Sequence, residues 1–366
     1  MSTVHRVYNF SPGPAVIPVP VLEQVQRDLL ALPGVGMSVL EVSHRSDVFE
    51  SLLADAEAGV RALAGVPSNY KVLFLQGGVS LQFSMVPMNL LLPGTTADYL
   101  DTGSWADKAI KEAKKVGAVN IVATTKGEKY SRLPEPSEIR PTPGAAYLHM
   151  TSNNTIEGTQ FTWLPDVGEA PLVSDTSSDI FSRPIDVAQH ALIYAGAQKN
   201  LGLAGLTLVI IREDLVQRSA TRKSALPTML SYAVHAEHGS LYNTPPTFAV
   251  YVLGLIVKWL QSQGGLTGIA AINERKAAKL YAEIDRTGFY RGTARKDCRS
   301  LMNVTFRLAT EALEALFIKE ATEAGFDGLK GHRSVGGMRA SIYNAFPEEG
   351  IEALVSFMRD FARTHG

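Results

Sequence analysis

Short apolar runs punctuate the first two-thirds of the chain, and stretches of helical period follow them. Residues 71–75, Lys-Val-Leu-Phe-Leu, predict a strand, and residues 81–92 the helix after it. A short strand is expected at 97–100. Residues 106–116 set Lys108, Lys111, Glu112, Lys114 and Lys115 among alanines, the pattern of a helix with one exposed face. Further strands are expected at 120–123, 146–150, 172–175, 192–195 and 206–211. Apolar strands bounded by turns and alternating with helices predict an α/β fold whose parallel sheet is covered on both faces.

The final third changes character. Residues 247–261 and 267–286 read as helices, 303–308 as a strand and 311–324 as a helix. A basic, glycine-rich passage follows at 332–339, then a terminal helix from Pro347. This pattern predicts a small α+β domain. The expected division is a large domain over 17–263 and a small one over 264–366, joined by the segment 1–16, with the boundary near Gly264-Gly265. No internal repeat or low-complexity tract interrupts it. The longest apolar run, 248–257, stops at Lys258, short of the roughly 20 residues that span a bilayer, so it reads as a buried helix.

Composition narrows the function. With 366 residues, 45% hydrophobic and 19% charged, the chain has the profile of a globular protein rather than a disordered one. A net charge of -1 offers no bulk field to nucleic acid or an anionic membrane, so neither is an expected partner. Any anion must be held by local clusters of basic residues. The one cysteine, Cys298, excludes an internal disulfide and fits a reducing compartment. Residues 1–10 have no apolar core and read as a mature N-terminus. A cytoplasmic protein without a metal site is expected.

Candidate chemistry centres on Ala195-Gly-Ala-Gln-Lys-Asn-Leu-Gly-Leu-Ala-Gly205. Lys199 lies just past a buried strand among small residues, which let backbone approach a bulky ligand. A lysine in an apolar pocket loses its proton more easily and becomes the nucleophile that Schiff-base chemistry needs. Asp175 ends the preceding strand, at the carboxyl end where α/β sheets bind ligands. A carboxylate there can pair with a protonated ring nitrogen of a cofactor; alone it reads equally well as a helix cap. Leu75-Gln-Gly-Gly-Val-Ser-Leu81 is a strand, two glycines and a helix start, a geometry that can cradle a phosphate. It has neither the dinucleotide fingerprint nor a P-loop. Trp105, after Gly103-Ser104, could lie on a flat cofactor or fill a core.

Seven motifs extend the picture over nearly the whole chain: Asn9-Phe-Ser-Pro-Gly-Pro14, Glu41-Val-Ser-His-Arg45, Val66-Pro-Ser-Asn-Tyr70, Phe181-Ser-Arg-Pro184, Tyr194-Ala-Gly-Ala-Gln-Lys199, Tyr242-Asn-Thr-Pro-Pro-Thr247 and the passage from Lys330 to Tyr343. With these the chain resembles the phosphoserine aminotransferase family, within the class-V, fold-type-I aminotransferases that depend on pyridoxal 5'-phosphate. The resemblance implies that Lys199 carries the cofactor as a Schiff base and that Asp175 partners its pyridine nitrogen. It implies that Trp105 stacks on the ring, that Thr155 sits beside the ring hydroxyl, and that the backbone at Gly78 and Val79 and the side chain of Gln198 hold the phosphate. Asn243 and Thr244 would reach the phosphate of a neighbouring subunit's cofactor, which implies a homodimer with shared sites. His44-Arg45 and His332-Arg333 would hold the far anion of the substrate, and Arg339 its α-carboxylate. A guanidinium suits both groups. One departure is visible: many members carry Arg where this chain has Val79.

The activity implied is reversible transfer of an amino group from L-glutamate to 3-phosphohydroxypyruvate, giving 2-oxoglutarate and O-phospho-L-serine for serine biosynthesis. The nearest rivals are other class-V enzymes, an alanine–glyoxylate aminotransferase or a cysteine desulfurase. A desulfurase needs a nucleophilic thiol over the cofactor, and Cys298 lies among Arg295, Lys296 and Arg299 in the expected small domain. A ligand-binding protein without catalysis would have no use for Lys199.

Overall fold

The computed structural model describes residues 6–366. The reading of residues 1–10 as a mature N-terminus falls partly on residues 1–5, outside the described residues. Seven strands form the central sheet: β1 (Tyr70–Leu75), β2 (Thr96–Asp101), β3 (Ala118–Thr124), β4 (Leu148–Thr151), β5 (Leu172–Asp175), β6 (Leu192–Gly196) and β7 (Thr207–Arg212). Their spatial order is β1-β7-β6-β5-β4-β2-β3. The pairs β3–β2, β2–β4, β4–β5 and β5–β6 are parallel. β7 is the exception in this mostly parallel sheet, because it is antiparallel to both β6 and β1. The connection 197–206 contains no helix, and a parallel return takes a crossover of about a dozen residues or more. The chain therefore turns back beside β6, and that turn carries Lys199.

Alternate residues along the central strands go to opposite faces. Val72, Phe74, Ile193, Ala195, Leu208 and Ile210 join one core, while Leu73, Leu75, Leu192, Tyr194, Val209 and Ile211 join the other. Both faces are apolar because both are covered. On the first face lie α1 (Val19–Asp28), α2 (Asp47–Ala64) and α7 (Thr247–Ser262). On the second lie α3 (Gly78–Leu90), α4 (Ser104–Ala113), α5 (Glu213–Ala220) and α6 (Tyr232–Glu237). Truncating a wholly buried residue such as Ile210 to alanine would cost about 2–5 kcal/mol.

The residues that pattern reading passed over are mainly α1, α2, α5 and α6. In α2 the signal was present: Phe49, Leu53, Ala56, Val60 and Ala64 are its buried stripe. Ser46 caps it by accepting from Phe49 N at 3.4 Å. It packs closely on α7, since a Cβ on Gly59 would lie 2.8 Å from Val257 Cγ1. α3 begins three residues before the expected start, and that shift matters for the site.

A second, three-stranded antiparallel sheet is built from β8 (Arg291–Gly292), β9 (Asn303–Arg307) and β10 (Met338–Ser341). Around its core pack α8 (Gly265–Ile284), α9 (Glu311–Glu323) and α10 (Glu348–His365). The fold is thus α/β, with a mostly parallel sheet flanked by helices and a smaller α+β unit. No helix among the described residues is long and apolar enough to cross a membrane.

Candidate active site

Strands β1, β2, β4, β5 and β6 share one direction, so their carboxyl ends meet along one edge of the sheet. There they surround a cavity of about 380 Å³. Lys199, Asp175, Trp105, Thr155, Gln198, Gly78 and Val79 all line it. Seven residues singled out in the sequence, spread from position 78 to 199, therefore converge on one place. Lys199 Nζ donates to Thr155 Oγ1 at 2.8 Å and lies 5.8 Å from the Trp105 ring centre. Desolvation lowers the pKa of Lys199 to about 8; Asp175 opposes that shift, and the positive charge of Arg339 reinforces it.

Asp175 is buried, which pushes its carboxyl above the usual range. Ser177 offsets this by donating to Oδ1 twice, from its hydroxyl at 2.5 Å and its amide at 3.0 Å. The neighbouring Lys199 charge acts in the same direction. Ser177 was not predicted; its signal was only its place two residues beyond Asp175. The cavity is further lined by Gly13, Pro14, Thr151, Asn153 and Ser178, none of them singled out for chemistry in the sequence.

The turn after β1 uses two glycines at φ 88° (Gly77) and 64° (Gly78), the left-handed region that other residues resist. A Cβ on Gly77 would also collide with the Leu81 side chain. This turn starts α3 at Gly78 rather than at position 81, with no side-chain cap on its first amides. The N–H groups of Gly78 and Val79 are therefore the open positive end of a helix facing the cavity.

The basic groups divide. Arg339, on β10, is buried, and its Nη1 donates to Thr155 O at 3.4 Å while its Nε has no partner among the described residues. His332 lies close enough for the charges of Arg339, Arg333 and Lys108 to hold its pKa below the usual value, after burial as the main cause. Arg333 itself is exposed. His44 and Arg45 occupy the turn before α2, with Arg45 exposed, and neither lines this cavity. Asn243 and Thr244 are exposed too; they hold the Gln76 side chain, which donates to Asn243 Oδ1 at 3.4 Å and Thr244 O at 2.8 Å. Within a single chain these last four stand apart from Lys199.

Cys298 belongs to the apolar cluster that includes Leu100, Val122 and Met150, and burial raises its thiol pKa. It is not a nucleophile at the cavity. Among the described residues no cluster could hold a metal ion.

The donor set fits a flat aldehyde bearing a phosphate. An amine of lowered basicity stands beside a buried carboxyl, and a helix N-terminus opens on the same space. Trp105 Nε1 and Thr151 Oγ1 are buried polar atoms without a protein partner, as a site built for a ligand leaves them. Gly196 keeps the floor clear, since a Cβ there would lie 2.6 Å from Gln198 Oε1 and 2.8 Å from Val79 Cγ2.

Comparison with known proteins agrees with this geometry. Residues 7–354 match the family described as Aminotransferase class-V. The phosphoserine aminotransferase of Desulfosudis oleivorans is 53% identical over 363 residues, covering 99% of both chains. The solved phosphoserine aminotransferase of Bacillus circulans subsp. alkalophilus superimposes with a TM-score of 0.96 at 53% identity, over 99% of each chain. That of Trichomonas vaginalis, solved with PLP bound, gives a TM-score of 0.91 at 38% identity, over 97% of this chain and all of its own. With its lysine, carboxyl and helix end gathered on one cavity, the chain belongs to the class-V aminotransferases, enzymes that work with pyridoxal phosphate.

Proposed function

We propose that this enzyme transfers the amino group of L-glutamate to 3-phosphohydroxypyruvate, releasing 2-oxoglutarate and O-phospho-L-serine. The observation that carries the reading is that Arg339 Nη1 donates to the Thr155 carbonyl while Lys199 Nζ donates to the Thr155 hydroxyl, which supports Arg339 as the carboxylate clamp. The near-full-length likeness to phosphoserine aminotransferases supports the substrate pair. An alanine–glyoxylate or desulfurase activity has no comparable support here.

Pyridoxal phosphate, when bound, draws off the electron pair left as the substrate α-proton departs. The chain supplies the rest. Lys199 Nζ anchors the cofactor, takes the α-proton as base and returns it as acid. Asp175, which accepts from Ser177 twice, would keep a proton on the ring nitrogen. Trp105 would cover the ring, Thr155 would face its hydroxyl, and the Gly78 and Val79 amides with Gln198 would hold the phosphate. Arg339 orients the α-carboxylate. His44, Arg45, His332 and Arg333 bind the distal anion, a γ-carboxylate in one half-reaction and a phosphate in the other. Asn243 and Thr244 complete the phosphate site of a neighbouring subunit, so the active form is a homodimer. In the same reading 17–263 form the cofactor domain and 264–366 a small domain that brings in Arg339, and the enzyme works in the cytoplasm in serine biosynthesis.

The test compares kcat/KM for 3-phosphohydroxypyruvate, L-glutamate and L-alanine in two variants, so that loss of active enzyme cancels. Arg333→Ala should lower the value for 3-phosphohydroxypyruvate by roughly tenfold or more and spare alanine, which has no distal anion. Arg339→Ala should harm glutamate and alanine alike. Equal losses across all three substrates in Arg333→Ala would remove that arginine from the distal clamp. No turnover of 3-phosphohydroxypyruvate by the wild-type enzyme would refute the substrate pair itself.

A further inference from the structure

Helix α4 starts without a cap of its own. The residue before it, Gly103, is extended at φ 170° and has no side chain to offer the first amides. The cap comes from another element. Glu157 Oε1 accepts from Ser104 N at 2.9 Å and from Ser104 Oγ at 2.6 Å. A carboxylate at a helix N-terminus is favoured by the helix dipole. The next residue in α4 is Trp105, the aromatic wall of the cavity.

Glu157 is itself firmly held. It lies in the turn between the short strands Asn153–Asn154 and Thr159–Gln160, two residues beyond Thr155. Its carbonyl accepts from Thr305 Oγ1 at 3.1 Å. Its side chain is buried, and Oε2 has no hydrogen-bond partner among the described residues. Gly103 makes room for it, since a Cβ there would lie 2.8 Å from Oε2 and collide with Asn154 Oδ1.

The carboxyl also lies near Arg339: Thr305, whose hydroxyl donates to the Glu157 carbonyl, is the β9 residue paired with Arg339 on β10, and Arg339 Nη1 donates to the carbonyl of Thr155, two residues before Glu157. Burial raises the Glu157 pKa, while the Ser104 hydrogen bonds and the Arg339 charge pull it down; Glu157 in turn favours the charged form of Arg339. No carboxylate among the described residues pairs with Arg339 within ion-pair distance. Glu157 is therefore the acidic neighbour against which an incoming α-carboxylate is measured.

We propose that Glu157 is a positioning residue, fixing Trp105 over the cofactor ring by capping α4 and tempering with its charge the hold of Arg339 on the substrate α-carboxylate. The second part rests on the reading of Arg339 as the carboxylate clamp.

The test uses the full chain loaded with pyridoxal phosphate. Glu157→Gln keeps an acceptor for Ser104 and removes the charge, whereas Glu157→Ala removes both. In Glu157→Gln the visible circular dichroism of the bound cofactor and its Kd should stay within about twofold of wild type, with kcat little changed, while KM for L-glutamate falls roughly threefold or more. Maleate, a dicarboxylate with no amino group to transfer, should gain affinity to a similar degree in a spectral titration. In Glu157→Ala the dichroic band should weaken and the cofactor Kd rise roughly fivefold or more. Ser104→Pro removes both donors to Glu157 yet suits the first position of a helix, so it should reproduce that dichroism even where Glu157→Ala does not fold. Wild-type dichroism and cofactor affinity in Ser104→Pro overturn the positioning role. Unchanged glutamate KM and maleate affinity in Glu157→Gln overturn the electrostatic role when Arg339→Lys raises the same KM. If Arg339→Lys leaves that KM unaltered, the clamp reading of Arg339 is what fails.

Discussion

At the scale of single residues the site works by setting two groups against their ordinary acidities. Burial lowers the Lys199 pKa to about 8, so its amine is neutral at a lower pH than a solvated lysine's. The neutral amine is the form that captures an aldehyde. Capture of pyridoxal phosphate by apoprotein, followed as visible absorbance, should therefore rise about tenfold per pH unit below about 8 and flatten above it. A rate still climbing toward pH 10 would mean that the amine is solvated. Lys199→Ala should show no covalent capture at any pH. Asp175→Asn should keep its cofactor and lose at least tenfold in kcat, because an amide no longer favours the protonated ring. A smaller loss, under about 1.4 kcal/mol, would end the electron-sink role. Lys199 and Asp175 stand out in the sequence because Asp175 closes a short apolar run and Lys199 lies just past another, and the ends of such strands are where α/β proteins place chemistry. The contact between Arg339 and Thr155 was not legible, since 184 residues separate the two and only packing of the second sheet joins them.

At the scale of elements, turns decide more than the strands and helices they join. The Gly77-Gly78 pair swings the chain from β1 into α3 and leaves two amides open on the cavity. Gly77→Ala puts a side chain into a left-handed conformation and against Leu81. The cofactor Kd should rise roughly tenfold or more in that variant, as a misplaced α3 start loses its hold on the phosphate. An unchanged Kd would show that this helix end does not bind it. Periodicity placed α3 at 81–92 because Gly-Val-Ser carries no apolar period, although the first turn of the helix lies there. The reversal of β7 was hidden for a related reason. Thr207–Arg212 is as apolar as its parallel neighbours, and direction leaves no mark on a strand buried on both faces. Only the shortness of the connection 197–206 hinted at it.

At the scale of the whole molecule, the four polar residues that stand apart from Lys199 are the ones the proposed homodimer would put to use. Asn243 and Thr244 are exposed beside Gln76, and Tyr242 next to them exposes 46% of its surface. Leu30 and Leu40, in the segment leading to His44-Arg45, are 88% and 55% exposed. A dimer covers such a surface and brings polar residues to a second site. Light scattering should give twice the chain mass. Co-expressing Lys199→Ala chains with chains carrying both Asn243→Ala and Thr244→Ala should restore about a quarter of wild-type activity, from mixed dimers with one intact site. Failure of that complementation would confine each site to one chain. By itself, the sequence determined the alternation of strands and helices, the prominence of Lys199 and Asp175 at strand ends and the family likeness, since each is written in neighbouring residues or in short motifs. The tertiary structure alone decided that α3 opens its amides on the cavity, that β7 runs backward and that Arg339 meets Thr155. It alone showed that Glu157 caps the helix of Trp105. These contacts join residues far apart in the chain, and they exist only once burial of both sheet faces has brought the strand ends together.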